Sequence, residues 1–397
     1  MNNKRIFLAA ALSMALTPAF AGGSSSNVQL YGNIDAGIEH LSFDNASVNR
    51  LGSGIQVPDL IGVKGNEDLG GSLSAFFQAE TGFCGNGNGT LGRLGNNVYS
   101  GANQGAQYQA NSDYCTGGQF MGRETMVGLS GDFGKLSLGR LVTPSFIDAL
   151  NTDPFRAGLT GGLFNLDPAF PIYVYVSQAM QYQTPTMSGL QGTLLYALGA
   201  QSSGASNGQF YNASLNYRNG PVMAGIAYMH HNFTSGGPIP DAALMLDATN
   251  RSIVPSSDGY FTNKVLQLFG GYNLGVANIT AYYADEKFGD GGTMSDGSQT
   301  PHFKVWWVGA TIPAGPGSIL ASIGQHKDSN LINSTARQYA VGYNYPMSKQ
   351  TNLYASYAHI SNDRNVDQHV GDSTVVGTGI QGGQSSSGIA LGIRHAF

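Results

Sequence analysis

Charged side chains are scarce in this chain. Asp, Glu, Lys and Arg make up 11% of its 397 residues, less than half the roughly 25% of an ordinary soluble domain. A soluble enzyme of this length would carry more Lys and Glu on its helix surfaces. A disordered chain would hold fewer aromatics than the 10% found here. Long apolar runs are missing too: a membrane helix needs roughly 18 consecutive apolar residues, and none occurs. Cysteine is limited to Cys84 and Cys115, too few for a disulfide-built fold and too isolated for a zinc site with its four N/S ligands. No basic cluster occurs, and acids outnumber Lys plus Arg by 24 to 19, which argues against nucleic acid as a partner.

Glycine and tyrosine fill the space. Gly accounts for 57 residues, and Tyr and Phe for 20 and 19 against two Trp. A charge-poor, Gly- and Tyr-rich chain of mild polarity fits the wall of a large β-barrel in a bilayer. The N-terminus gives the compartment. Lys4 and Arg5 precede a short apolar core, Ile6 to Leu16, and Pro18 leads into Ala19-Phe20-Ala21. This reads as a secretory signal peptide over residues 1–21, too short to span a membrane. Residues 22–397 then form one exported barrel domain. Outside the cytoplasm, Cys84 and Cys115 are expected to form one disulfide across the Gly/Asn/Gln/Ser-rich stretch between them.

Segments of about ten residues alternate in polarity and are separated by turn residues, as barrel strands do. In Tyr211-Asn212-Ala213-Ser214-Leu215-Asn216-Tyr217-Arg218 the odd positions suit lipid and the even ones are polar. Ala277 to Tyr283 repeats the pattern. Near the start, Leu30, Ile34 and Ile38 oppose Asn33, Asp35 and Glu39; at the end, Ile389, Leu391, Ile393 and Phe397 oppose Gly388, Gly392 and Arg394. A period of two puts the two sets on opposite faces. The connections alternate between short turns, such as 131–134 and 219–221, and long polar stretches: 84–118, 143–175, 233–260, 288–301 and 362–386. We count sixteen candidate strands, beginning near 28, 54, 71, 119, 134, 176, 190, 208, 221, 261, 276, 302, 317, 336, 351 and 387. The fold expected is all-β: a closed, transmembrane antiparallel barrel wide enough for an aqueous channel. Asp35, Glu39, Glu80, Arg218 and Arg394 are placed on its lumen side.

Two catalytic-looking strings carry little. Gly87-Asn88-Gly89-Thr90-Leu91-Gly92 lacks the strand–helix context of a dinucleotide site. Gly204-Ala205-Ser206-Asn207-Gly208 lacks the helix of a nucleophile elbow. The eight histidines are scattered without an HExxH, and His230 and His231 point to opposite faces. No catalytic residue, metal site or cofactor is therefore assigned. The alternatives to a general channel are a substrate-specific channel on the same barrel and, less favoured, an outer-membrane barrel enzyme with its nucleophile and base at a rim.

From Val28 to Phe397 the sequence resembles the trimeric general porins of Gram-negative bacteria, most nearly the β-proteobacterial branch. The stretches that carry the resemblance are Val28-Gln29-Leu30-Tyr31-Gly32, Gly62-Val63-Lys64-Gly65-Asn66-Glu67-Asp68-Leu69-Gly70-Gly71, Val127 to Leu136, Leu138-Gly139-Arg140 and the ending Gly392-Ile393-Arg394-His395-Ala396-Phe397. The resemblance implies sixteen strands, a homotrimer and a third long loop, here about 143–175, folded inward to narrow the pore. It implies passive diffusion of small hydrophilic solutes and ions through the outer membrane, in contact with its lipid and lipopolysaccharide. Loop acids Asp148, Asp153 and Asp167 would then face wall cations, with Arg123 matching a family wall arginine and Arg140 near it. Leu60 stands where the family usually has arginine, and Asn33 where enterobacterial relatives have lysine, which points to weak ion selectivity. The terminal Phe397 is expected to act as an assembly signal, as the same aromatic ends relatives.

Overall fold

The computed structural model describes residues 26–44, 46–83, 85–86, 120–167, 174–199, 208–234, 253–254, 260–294, 296–371 and 382–397. The expected signal peptide 1–21, Cys84, Cys115 and the two Gly-rich strings lie wholly or mostly outside them. In chain order the strands are β1 (Ser26–Phe43), β2 (Ala46–Ser53), β3 (Leu60–Gly70), β4 (Leu73–Gly82), β5 (Thr125–Gly131) and β6 (Gly134–Val142). After helix α1 (Pro144–Thr152) come β7 (Tyr175–Gln183), β8 (Leu190–Ala197), β9 (Phe210–Asn219), β10 (Val222–Thr234) and β11 (Ile253–Val254). Then follow β12 (Tyr260–Asn273), β13 (Asn278–Asp290), β14 (Thr293–Met294), β15 (His302–Ala314) and β16 (Gly317–Asp328). The last three are β17 (Thr335–Pro346), β18 (Thr351–Asn362) and β19 (Ser386–Ala396).

Seventeen segments make the main sheet, and β11 with β14 forms a separate ribbon. Neighbours in the wall pair antiparallel, and β1 closes the ring on β19 from Asn33↔Ala396 to Phe43↔Ser386. β2 and β3 are two halves of one wall strand. β2 pairs with the C-terminal half of β1, Ala36↔Ser53 to Phe43↔Ala46, and β3 with its N-terminal half, Ser26↔Glu67 to Asn33↔Leu60. The wall is therefore a closed antiparallel barrel of sixteen strands. Closure leaves no open edge, which a bilayer demands.

The second wall strand corrects an expectation. It does not begin near 54 but at Ala46, and 54 is where it breaks. Residues 54–59 stand opposite only Ile34 and Asp35 of β1. Gly54 takes a φ of +69°, and Pro58 has no N–H to give to a ladder. The surplus chain leaves the wall and buries Ile55 and Asp59.

Exposure confirms the two faces. Val28, Leu30, Ile34 and Ile38 are exposed on β1, while Asn33, Asp35 and Glu39 are buried. On β9, Tyr211 and Leu215 are exposed and Asn212 and Ser214 buried. An apolar outside around a polar inside inverts the arrangement of a soluble protein and suits a lipid surround. No helix among the described residues is long and apolar enough to cross a membrane. At the seam, the N–H and C=O of Gly32 and Phe397 exchange hydrogen bonds of 2.9 and 3.0 Å. The Phe397 ring lies so close over Gly32 that a methyl there would meet Cζ at 2.3 Å.

Candidate functional site

The segment after β6 is built by local rules. Thr143 caps α1, accepting from the Phe146 N–H at 3.2 Å, and Pro144 occupies the first turn, where its missing N–H costs nothing. Asp153 ends the helix and takes in three backbone N–H groups, from Phe155, Ala157 and Leu163, each at 2.8 Å. Arg156 and Ala157 have φ of +50° and +63°, and Gly161 of +99°. The chain thus curls tightly around one carboxylate.

This segment is tied to inner-face side chains around the ring. Asn212 on β9 exchanges hydrogen bonds with Ser145, accepting from its N–H at 2.9 Å and donating to its hydroxyl at 2.6 Å. Thr280 on β13 donates to the Thr152 carbonyl at 2.5 Å, and the Tyr282 hydroxyl to Asp167 at 2.6 Å. His326 on β16 bonds the Leu166 carbonyl at 2.9 Å. Gln338 on β17 donates to the carbonyls of Gly161 and Gly162, each at 3.2 Å, and accepts from Asn165 at 2.8 Å. The Leu159 N–H donates to the Ile55 carbonyl at 2.8 Å, so the broken second strand holds the same segment.

Close packing needs small wall residues beneath it. A methyl on Gly309 would come within 2.5 Å of Pro154 Cγ and Cδ; on Gly324 or Gly342 it would meet Leu166 or Phe155 at 3.0 Å. These three inner-face glycines, with Thr280, Ser322 and Ala340, form a shelf.

The charged residues fall into two groups. The acids are largely tied down. Burial pushes the Asp153 carboxyl up to about 6 despite its three N–H donors. Asp148 is likewise pushed up to about 6 by burial, opposed by hydrogen bonds from Ser214 and Asn216 and by the charge of Arg218. Asp35 accepts from the N–H groups of Gln56 and Val57 at 2.7 Å and from Tyr354 at 2.5 Å. Glu39 pairs with Arg50 at 2.8 Å. Glu80 accepts from Tyr31 at 2.6 Å and lies 3.5 Å from Arg123.

The arginines are held differently. Arg123 and Arg140 each lie 5.3 Å from the centre of the Tyr175 ring. Arg140 also donates to the Gly122 carbonyl at 2.7 Å and to Ser177 at 2.8 Å. Arg394 donates to Asn33 at 2.5 Å, while the Asn33 amide reaches the carbonyls of Val57 and Pro58. Arg218 makes no side-chain hydrogen bond or ion pair among the described residues. Leu60 is half-buried opposite Asn33.

The sequence expectation set Arg123 opposite the loop acids. The contacts found are different. Arg123 lies against Glu80 and Tyr175, Asp148 faces Ser214 with Arg218 nearby, and Asp153 is enclosed by its own segment. Asp167 is bound to Tyr282 on the β13 wall. Asp35 and Glu39 are buried. Sequence reasoning missed Tyr175, Asp59, Gln338 and the glycine shelf. Glycines at alternate positions on polar strand faces were a signal for the shelf; nothing local marked Tyr175. Among the described residues no cluster of three or more metal-ligating side chains occurs.

A closed barrel, apolar outside and polar within, defines an outer-membrane channel protein. The chain belongs to the Gram-negative porin family, whose model matches residues 9–365. It is 27% identical to outer membrane porin protein 32 of Delftia acidovorans, over 96% of this chain and 97% of that one. It is 29% identical to an outer membrane porin protein of Bordetella pertussis, over 93% and 98%. The solved structure of an anion-selective porin from Comamonas acidovorans matches with a TM-score of 0.70 at 23% identity, over 94% and 100%. The protein is an outer-membrane porin of a Gram-negative bacterium, a channel for the diffusion of solutes.

Proposed function

We propose that the segment 143–167 narrows this channel and that the narrowed part prefers anions weakly. The observation that carries this reading is the asymmetry of charge: Asp35, Asp148, Asp153 and Asp167 are buried and tied to backbone or wall groups, while Arg123 and Arg140 lie over the Tyr175 ring and Arg218 and Arg394 form no ion pair among the described residues. The field is modest. Two unit charges about 8 Å apart in water interact by about 0.5 kcal/mol, and by about four times that at a lower effective dielectric. Such energies change an ion ratio several-fold without excluding either ion, and they fade as salt shortens the screening length. Leucine at 60, where relatives carry arginine, weakens the field further.

Transport is passive, with no reaction and no cofactor. The functional unit is a homotrimer in contact with outer-membrane lipid and lipopolysaccharide. Residues 1–21 are removed on export, and Cys84 and Cys115 are joined. The test is the reversal potential of single channels in a KCl gradient. Wild type should show a small anion preference at low salt, and Arg123→Ala should move it toward cations. An unchanged reversal potential in Arg123→Ala would place the selecting charge elsewhere.

A further inference from the structure

A cavity of about 230 Å³ lies between α1 and the inner faces of β7, β8 and β9. Its lining alternates with lipid-facing Met180, Tyr182, Leu190 and Leu215, so it opens on the interior of the barrel. Two opposite charges border it, Asp148 and Arg218. They feel each other electrostatically yet form no ion pair. The fold keeps them apart. Asp148 rides on α1, which is pinned at Ser145 by Asn212, and its carboxylate takes the Ser214 hydroxyl at 2.5 Å. Arg218 stands four residues beyond Ser214 on the same face of β9, about 13 Å along the strand. The arginine arm closes only part of that distance.

The space between the charges is lined by amides. Asn216 lies between Ser214 and Arg218 and donates to Ser214 at 2.8 Å. Gln191 is engaged with Thr186 at 3.2 Å and accepts from Gln183 at 3.1 Å. The side-chain amide oxygen of Gln181, Oε1, is buried with no hydrogen-bond partner. A buried acceptor without a donor costs free energy, and a donor-bearing ligand would satisfy it. A carboxylate and an open acceptor on one side, with a free guanidinium on the other, match a molecule carrying both signs of charge.

We propose that this cavity is a binding subsite for small zwitterionic amino acids, with the ammonium toward Asp148 and Gln181 and the carboxylate on Arg218. The proposal rests on the reading that the barrel interior is the solute path. It turns a general channel into one with a low-affinity way station, since a conducting site must release what it binds.

The test uses the full-length protein in planar bilayers, with serine as the probe and lactate and ethanolamine as carriers of one charge each. Serine should lower the single-channel current saturably, while lactate and ethanolamine should act at least about tenfold more weakly, the equivalent of 1.4 kcal/mol. Arg218→Gln should raise the serine concentration for half-effect by at least about tenfold relative to its own ligand-free current, and Arg218→Lys should restore part of it. A serine effect that rises linearly without saturation, or that is equal in Arg218→Gln, overturns the subsite. Lactate acting as strongly as serine overturns the zwitterion assignment. A protein that inserts but conducts no ions removes the channel reading itself, and the subsite with it.

Discussion

Gly309 offers the sharpest probe of how the segment 143–167 is seated. Replacing its hydrogen by a methyl puts that methyl 2.5 Å from Cγ and Cδ of Pro154 and 3.0 Å from the Thr280 hydroxyl. Carbon atoms settle at about 3.5–4.0 Å, so the pair must separate by about 1 Å. The proline ring is rigid, and the β15 backbone is fixed on both sides by β13 and β16. The segment is the part that yields. Its movement stretches the Thr280–Thr152 bond and pulls on Asp153, next in sequence to Pro154. Overpacking of this kind costs about 1–3 kcal/mol, well short of the cost of opening the barrel. Gly309→Ala should therefore fold and insert normally while its third loop stands further from the wall. Single-channel conductance in concentrated KCl should fall, and Gly309→Val should lower it more. Gly192→Ala is the control, because a methyl there has nothing nearer than Thr184 Cγ2 at 3.6 Å. If Gly309→Ala and Gly309→Val both conduct like wild type, the segment does not set the aperture from this seat.

Deleting Phe397 removes both its hydrogen bonds to Gly32 and the ring that covers the β1–β19 seam, so folded, heat-modifiable barrel should decrease while signal cleavage is unchanged; wild-type levels would refute an assembly role. Gly32→Val, which drives a side chain into that ring, should reproduce the defect with the terminal residue in place. Burial pushes the carboxyls of Asp148 and Asp153 up to about 6, so acidification from pH 7 to 5 removes negative charge and should shift reversal potential toward anions. Both carboxyls titrate above the ordinary aspartate value of 3.8, so their contribution to a seated loop is present below that pH and lost as pH rises through about 6; acid alone should not unseat it by this route. Protein purified from outer membranes without reductant should show no free thiol at Cys84 or Cys115, and labelling of either by a maleimide would refute the disulfide.

Much of the wall was legible because a strand between lipid and water writes its two solvents into alternate residues. Tyr211 to Arg218 and Leu30 to Glu39 needed nothing more than a period of two. The break in the second strand was harder. Ile55 and Val57 continue the look of a strand, yet Gly54 and Pro58 flank them, and proline inside a closed sheet has no place in the ladder. The Asp44-Asn45 pair before Ala46 was a readable hairpin signal as well, since Phe43↔Ala46 pairing leaves only two residues in the connection. Asp153 was a different matter. Its use depends on Leu163 returning to it ten residues later, and no local pattern announces that return.

The composition of the inner face follows from two demands that compete for the same positions. Water in a channel asks for polar side chains, and a segment laid against the wall asks for small ones. Thr280, Ser322 and Gln338 meet the first while bonding the segment's backbone. Gly309, Gly324 and Gly342 meet the second. The acids are drawn into the same task, because a carboxylate can gather several backbone N–H groups where a neutral side chain gathers one or two. Each carboxylate so used is withdrawn from water and contributes less to the field that ions feel. Arginines cannot replace them as acceptors, and stand instead over the Tyr175 ring, beside Asn33 and at the end of β9. The proposed anion bias would then emerge from how the loop is fastened, without a dedicated cluster of cations, and it should weaken or strengthen with any change in that fastening.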